Sequence, residues 1–429
     1  GDLAWLPSEG QDYGALSIDE ESLELHHRYQ GCLEVYAKVP VKDEFIYRRL
    51  YGPEAVAQVC QNIFDDSTKV YDFTCKNNLV AIVSDGSAVL GLGNIGPQAA
   101  MPVMEGKAIL FKTFGGVEAF PICISTQDTN LIVQLVENIS PAFGGINLED
   151  ISSPRCFEIE QKLQQRLDIP VFHDDQHGTA VVTLAALINA LKLVDHKLSE
   201  VKIVFNGAGA ASIAVAKLLI QAGAKNITVC DTKGAIYKGR KTGMNFIKNE
   251  LADTTNPEKH KGNLSDVLKG AEVFIGLSGP NVLNQKTVKS MAKNPIVFAL
   301  ANPVPEIHPD MAKKAGAVVI ATGRSDFPNQ VNNCLAFPGI FRGALDIRAK
   351  WINDAMNIAA AQAIAGLVGD ELKPEYILPG AMDFRVPPAV AEAVGRVGME
   401  TGAARHHIEP ERIARHTREF IYDERLSLI

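Results

Sequence analysis

Between Val201 and Asp231 the chain carries a complete strand, turn, helix and second strand, a unit that few folds accept. Val201–Phe205 is an apolar run of strand length, and Asn206-Gly207-Ala208-Gly209-Ala210-Ala211-Ser212 forms the turn. Ile213 to Ala222 reads as a helix and Ile227 to Asp231 as the next strand. Gly207 permits the tight turn and Gly209 lets a pyrophosphate approach the backbone. Ala211 and Ser212 are small enough to keep the helix close to the sheet. Asp231 falls where an acid holds the adenosine ribose hydroxyls, which favours NAD. Lys233, Lys238, Arg240 and Lys241 follow at once, and any of them could neutralise a 2′-phosphate. The cofactor expectation is NAD or NADP, with a slight lean to NADP.

Further apolar runs at 273–276, 296–300 and 318–321 suit a buried parallel sheet. Ser278-Gly279, Ala301-Asn302-Pro303 and Thr322 to Ser325 follow them, at the edge where open α/β sheets bind ligands. Neutral donors at Asn302 and Asn332 suit a substrate carboxylate or hydroxyl, although asparagines are also ordinary turn formers. At 429 residues the chain exceeds one ordinary core. The fold class expected is α/β, with an N-terminal segment (1–30), a substrate or catalytic domain (31–175) and a Rossmann-type, doubly wound parallel-sheet domain (176–333). A C-terminal helical segment (334–429) is expected to pack back on the first domain, with helices at 344–368, 390–402 and 410–418.

Two acidic pairs stand upstream. His173-Asp174-Asp175-Gln176-His177-Gly178 lies between an apolar run and a helical stretch, and Glu149-Asp150 follows Gly144-Gly145-Ile146-Asn147-Leu148. Neighbouring carboxylates are costly to bury together unless a cation neutralises them. Glu149, Asp150, Asp174 and Asp175 would make an oxygen-rich site for Mg²⁺ or Mn²⁺. A solvated loop capping a helix is the plainer reading of either pair alone. His173 and His177 flank the second pair, but zinc is not the ion expected here. Lys107 precedes Ala108–Phe111, read as a strand, and a desolvated lysine beside a cation is a usable base. Gly91-Leu92-Gly93-Asn94-Ile95-Gly96 is a literal G-x-G-x-x-G. Pro97 and Pro102 crowd the helix it should open, and Lys112 stands where an acid should follow. It reads as a glycine turn near substrate. Tyr51 sits at an element end before Gly52-Pro53.

A formal net charge of -8 argues against nucleic acid or anionic lipid as partner. No apolar run is long enough to span a bilayer. Seven scattered cysteines without a C-x-x-C pair fit a reducing, cytoplasmic setting.

Taken together, Ser84 to Gly96, Met104-Glu105-Gly106-Lys107, Gly144 to Ile151, His173 to Ala180, Gly207 to Ser212, Ala301 to Pro305 and Gly323 to Asn333 resemble the malic enzymes of the small bacterial and archaeal type. The resemblance implies oxidative decarboxylation of L-malate to pyruvate and CO₂ by a homodimer, with NAD(P)⁺ and Mg²⁺ or Mn²⁺. It implies Glu149, Asp150 and Asp175 as metal ligands, and Lys107 with Asp174 as the base. Tyr51 would be the acid, with Tyr47 as fallback, because Tyr51-Gly52-Pro53-Glu54 departs from the family's Tyr-Thr-Pro-Gly. Lys107, Asn302 and Asn332 would hold substrate. Gly207, Ala208, Gly209, Ala210, Ala211, Ser212, Asp231, Lys233, Ser278 and Asn302 would hold the dinucleotide. The family's Asp-Gly-Glu-Arg segment reads Asp85-Gly86-Ser87-Ala88 here, so the substrate carboxylate needs another partner. No phosphotransacetylase-like extension is seen, so no acyl-phosphate activity is expected. The alternatives are a malolactic enzyme, a non-catalytic dinucleotide-binding regulator and a metal-independent amino-acid dehydrogenase.

Overall fold

The computed structural model describes residues 17–89 and 91–421, so the first 16 residues of the N-terminal segment and the last 8 of the C-terminal one lie outside it. Helices α1 (Ile18–Tyr29), α2 (Glu44–Tyr51), α3 (Pro53–Asp65) and the short α4 (Val70–Phe73) lead to strand β1 (Leu79–Ser84). Then come α5 (Gly96–Gly115), β2 (Glu118–Cys123), α6 (Thr129–Ile139), β3 (Gly145–Leu148), α7 (Arg155–Arg166), β4 (Val171–His173) and α8 (Asp174–Leu193). The four strands form a parallel sheet of order β2-β1-β3-β4. Val80 and Ile82 face one side of β1 and Ala81 and Val83 the other, as the two-residue period of a strand requires, and all four are buried.

The second half alternates β5 (Lys202–Asn206), α9 (Ala210–Gln221), β6 (Asn226–Asp231), the two-residue β7 (Gly234–Ala235), α10 (Phe246–Thr254), α11 (Leu264–Val267), β8 (Val273–Gly276), α12 (Gln285–Lys289), β9 (Ile296–Ala299), α13 (Pro309–Lys314) and β10 (Val319–Thr322). Its sheet runs β10-β9-β8-β5-β6-β7, parallel throughout except for β7. The order reverses between β5 and β8, which opens a crevice at their carboxyl ends. Helices α14 (Phe337–Asp346), α15 (Asp354–Gly366), α16 (Val386–Glu400) and α17 (Pro410–Ile421) return to the first half, where α14 and α17 pack on α5 and α15 on α8. The doubly wound α/β architecture with returning helices is therefore present. Among the described residues no helix is long and apolar enough to cross a membrane.

Three sequence expectations need correction. Lys107 does not precede a strand: residues 96–115 are one helix, with Met104, Lys107, Ala108 and Phe111 on its buried face at helical spacing. Pro97 sits in the first turn, where its missing N–H costs nothing, and Pro102 lies on the exposed face. Gly96 thus opens a helix after all. The stretch 344–368 is not continuous either, because α14 ends at Asp346, Arg348 turns left-handed (φ 47°) and Asn353 caps a new helix. Strands β2 and β3 went unread, β3 because Gly144-Gly145 resembles a loop.

Gly343 lets α14 lie directly on α16, since a Cβ there would overlap the Ala391 carbonyl. Gly343→Ala is expected to destabilise the chain by about 1–3 kcal/mol, read as a lower Tm in thermal denaturation. An unchanged Tm would mean that the two helices have slack.

Candidate active site

Because β3 and β4 are parallel neighbours with Leu148 opposite His173, the residues that follow them emerge side by side. Glu149 and Asp150 leave β3 as Asp174 and Asp175 leave β4 in the first turn of α8. Asp150 adopts a left-handed backbone (φ 54°), and its N–H donates to Asp175 Oδ2 at 2.8 Å. Gly178, one turn along α8, is needed where it stands, because a Cβ there would collide with the Asp174 carboxylate.

Across from these acids α5 presents Lys107, only 7% exposed. Its Nζ lies 2.5 Å from Asp174 Oδ2 and 2.9 Å from Glu149 Oε1, and 4.2 Å above the centre of the Phe337 ring. Four carboxylates face this one ammonium, and each shows the strain of its surroundings. Burial first, then like charge, pushes Asp150 up to about 9. Burial raises Glu149 to about 7 although Lys107 pulls the other way. Asp174 and Asp175 rise to about 6 for the same reasons. Lys107 is held by the same acids. Burial works to lower its pKa, but Asp174 and Glu149 outweigh burial and hold it charged.

Ligand oxygens of Glu149, Asp150 and Asp175 all lie within 4.8 Å of one another, and Asp150 Oδ2 is buried without a partner. Three hard carboxylate oxygens with a vacant lone pair among them fit Mg²⁺ or Mn²⁺. Asp174 is held apart from this set by Lys107 and by Asn333 Nδ2, which donates to the same Oδ2.

Sequence reasoning missed several supporting groups. Asn147 Nδ2 donates to Glu149 Oε2 at 2.8 Å from within β3. Buried Glu160 accepts from the His173 N–H at 3.0 Å and from Gln176 at 3.3 Å, and lies 2.8 Å from His177 Nε2. Its place beside Cys156, Ile159 and Leu163 on the buried face of α7 was a readable signal. It is Asn333, not Asn332, that reaches Asp174, while Asn332 accepts from the Cys334 N–H at 3.0 Å. Tyr51 ends α2 at 74% exposure, near Tyr47 and without a described contact to the acids.

The dinucleotide turn lies across the crevice. Gly207 (φ 113°) has no room for a side chain, a Cβ meeting the Leu277 carbonyl at 2.7 Å, whereas Gly209 faces open space at the start of α9 with Ala208, Ala210 and Ala211 around it. Ser212 Oγ is buried beneath the turn. Buried Glu306 accepts from the N–H groups of Ser278 and Ala301, each at 3.0 Å, and so ties together the loops after β8 and β9. Asn302 sits exposed on the second loop with its carbonyl against Gly91, so the glycine turn of the first half does border the crevice. Asp231 stands among cationic donors. Arg240 grips it at 2.5 and 2.8 Å, Lys248 at 2.7 Å, and the Lys233 N–H at 2.8 Å. Burial opposes its charge, but these donors hold it far below the usual carboxylate range. Lys238 turns away to Asp253 at 2.9 Å.

Residues 31–164 match the family description "Malic enzyme, N-terminal domain" and residues 176–398 match "Malic enzyme, NAD binding domain". The chain is 57% identical to the bifunctional malic/malolactic enzyme of Bacillus subtilis, over 94% of this chain and 98% of that one. It is also 57% identical to the NAD-dependent malic enzyme of Geobacillus stearothermophilus, over 87% and 78%. The malic enzyme crystal structure from Pyrococcus horikoshii superposes with a TM-score of 0.91 at 46% identity, covering 96% of this chain and 97% of that one.

Carboxyls whose pKa rises on folding favour the folded chain at low pH. That contribution is complete below their ordinary range near about 4 and is lost as pH climbs through about 6, 7 and 9. The metal-free protein is therefore expected to lose Tm between about pH 5 and about pH 9, and Mn²⁺ to raise Tm more at the alkaline end. Thermal denaturation with and without chelator checks this. A Mn²⁺ effect independent of pH would contradict it.

Proposed function

Since the chain belongs to the malic enzyme family, we propose that Lys107, Asp174, Glu149, Asp150 and Asp175 carry out the oxidative decarboxylation of L-malate to pyruvate and CO₂ with reduction of NAD(P)⁺. The observation that carries this reading is the buried Lys107 shared between Asp174 and Glu149, beside a triad of carboxylates with a vacant lone pair. We divide the chain into the substrate domain at 31–175, the dinucleotide domain at 176–333 and the helices that complete the first domain at 334–429. A cytoplasmic setting belongs to the same reading, supported by seven free cysteines.

Glu149, Asp150 and Asp175 would hold the divalent ion. When bound, it supplies a positive field that acidifies the C2 hydroxyl and draws electrons from the departing carboxylate. The Gly207–Ser212 turn would hold the pyrophosphate of the dinucleotide, whose nicotinamide would supply the hydride acceptor. In the Lys107–Asp174 pair the ammonium orients the hydroxyl and the Asp174 carboxylate takes its proton as C2 gives up hydride, and Asn333 donates to Asp174 beside Lys107. The bond from C3 to its carboxylate then breaks, CO₂ leaves, and the enol receives a proton at C3. Asn302 and Asn332 border the crevice as substrate donors.

Tyr51 serves as that acid, and its exposure on α2 supports supply from a second copy. Helices α1, α2 and α3 contain no buried residue, and Leu23, Phe45, Tyr47, Tyr51 and Phe64 all stand exposed on them. A homodimer in which each arm lies over the other chain covers these side chains and completes both sites. For the cofactor, Arg240 and Lys248 outnumber Asp231, and that charge balance supports 2′-phosphate recognition and the lean to NADP. A malolactic activity, with the reduced cofactor retained and pyruvate converted to lactate, has one observation in its favour: the Bacillus subtilis relative is named for both activities.

Reduced cofactor should appear with L-malate and Mn²⁺, and Lys107→Ala should lower kcat/KM by about 10³-fold or more. No reduction of either cofactor by the unaltered chain would sink the reading, and lactate is then the product to assay. Tyr51→Phe and Lys107→Ala chains, each inactive alone, should regain roughly one quarter of full activity after mixing and subunit exchange. No recovery despite exchange would place Tyr51 in its own chain's site. Arg240→Ala should cost about tenfold or more in kcat/KM for NADP⁺ while sparing NAD⁺. An equal loss for both would show that Arg240 only braces the loop.

A further inference from the structure

We propose that a basic cavity remote from the crevice, between α14, α17 and the Asn77–Asn78 turn before β1, is an effector site for a multivalent phosphate-bearing metabolite. Its volume is about 690 Å³, within the size range of small-molecule sites and far larger than a malate-sized anion needs. Six basic residues line it, Arg342, Arg348, His406, Arg412, Arg415 and His416, against only Asp346 and Glu419. On a chain of net charge -8, such a concentration of positive charge is a local exception.

Part of that charge is not internally spent. Asp346 is taken by Arg342 at 2.6 Å and His416 at 3.1 Å. Arg348 pairs with Asp72 and lies over the Tyr71 ring. Arg415 has only a loose contact of 3.9 Å with Glu419, and the Arg412 side chain has no partner among the described residues. Arg342 is 2% exposed, yet its Nε is buried without an acceptor. On α17, Arg412, Arg415, His416 and Glu419 recur at helical spacing, so one face of that helix lines the cavity. Guanidinium groups pair with phosphate oxygens through two parallel hydrogen bonds, and several lining one cavity suit a ligand with more than one phosphate.

The two helices that place Lys107 also end at this cavity. The first residue of α14, Phe337, sits under the Lys107 ammonium, and its later residues Arg342, Leu345 and Asp346 line the cavity, about 8 to 14 Å further along the helix. Asn333, just upstream of α14, donates to Asp174. The α5 helix carries Lys107 in its middle and ends at Gly116, where a Cβ would overlap Phe420 of the cavity wall. A ligand that draws α17 and α14 together therefore pushes on both supports of the base.

The test is titration calorimetry of the full, metal-free chain with inorganic pyrophosphate, repeated with an Arg412→Ser, Arg415→Ser double variant and with Arg240→Ala. Saturable binding is expected, at least about tenfold weaker in the double variant and unchanged in Arg240→Ala. No binding, or loss only in Arg240→Ala, overturns the proposal, the second result placing the anion at the dinucleotide site. Initial rates at fixed free Mn²⁺ should shift in KM or kcat with pyrophosphate for the unaltered chain and not for the double variant. Binding without any shift overturns the effector role. The calorimetry does not rest on the catalytic reading, so a failure of malate oxidation is distinguishable from a failure here.

Discussion

Everything at this site depends on one ammonium group being shared by two buried carboxylates. Lys107 cannot be solvated where it lies, and neither can Asp174 or Glu149, so each is tolerated only because of the others. The contact joins three segments that are far apart in the chain: the middle of α5, the end of β3 and the start of α8. Removing Lys107 would leave two buried carboxylates without their counter-charge. The remaining carboxylates make the balance negative, an excess of the kind a divalent cation would offset.

Much of this was legible in the sequence, and the reasons differ from place to place. The unit from Val201 to Asp231 could be read because strand, turn and helix each carry their own local signal. The two acidic pairs stood out because adjacent carboxylates at strand ends are conspicuous without knowledge of the fold. The environment of Lys107 was harder. Two prolines and a glycine-rich turn suggested that no helix begins at Gly96, yet Pro97 occupies a position where its missing N–H is not needed. Asn147, Glu160 and Asn333 were invisible for another reason, because their roles are set by distances across the fold. The family resemblance points to Asn332 as a substrate contact, and it takes the packing to show that the neighbouring Asn333 reaches Asp174.

Asp231 shows the opposite limit, where a local rule found the residue but not its state. An acid at the end of β6 reads as a ribose acceptor, and its position fits that rule. Arg240 and Lys248 come from the loop and helix that follow, and together they turn the acid into the anchor of a cationic patch. Lys248 lies too far along the chain for a local motif to include it.

The helix α8 begins with Asp174 and Asp175 and, further along, packs against α9, the helix that opens at the dinucleotide turn. A 20-residue helix is about 30 Å of stiff rod. The acid cluster and the Gly207–Ser212 turn thus stand at the starts of two helices packed on each other. Any motion that keeps this packing carries both ends together, so an opening or closing of the crevice that separates neither has to come from the parts around the pair.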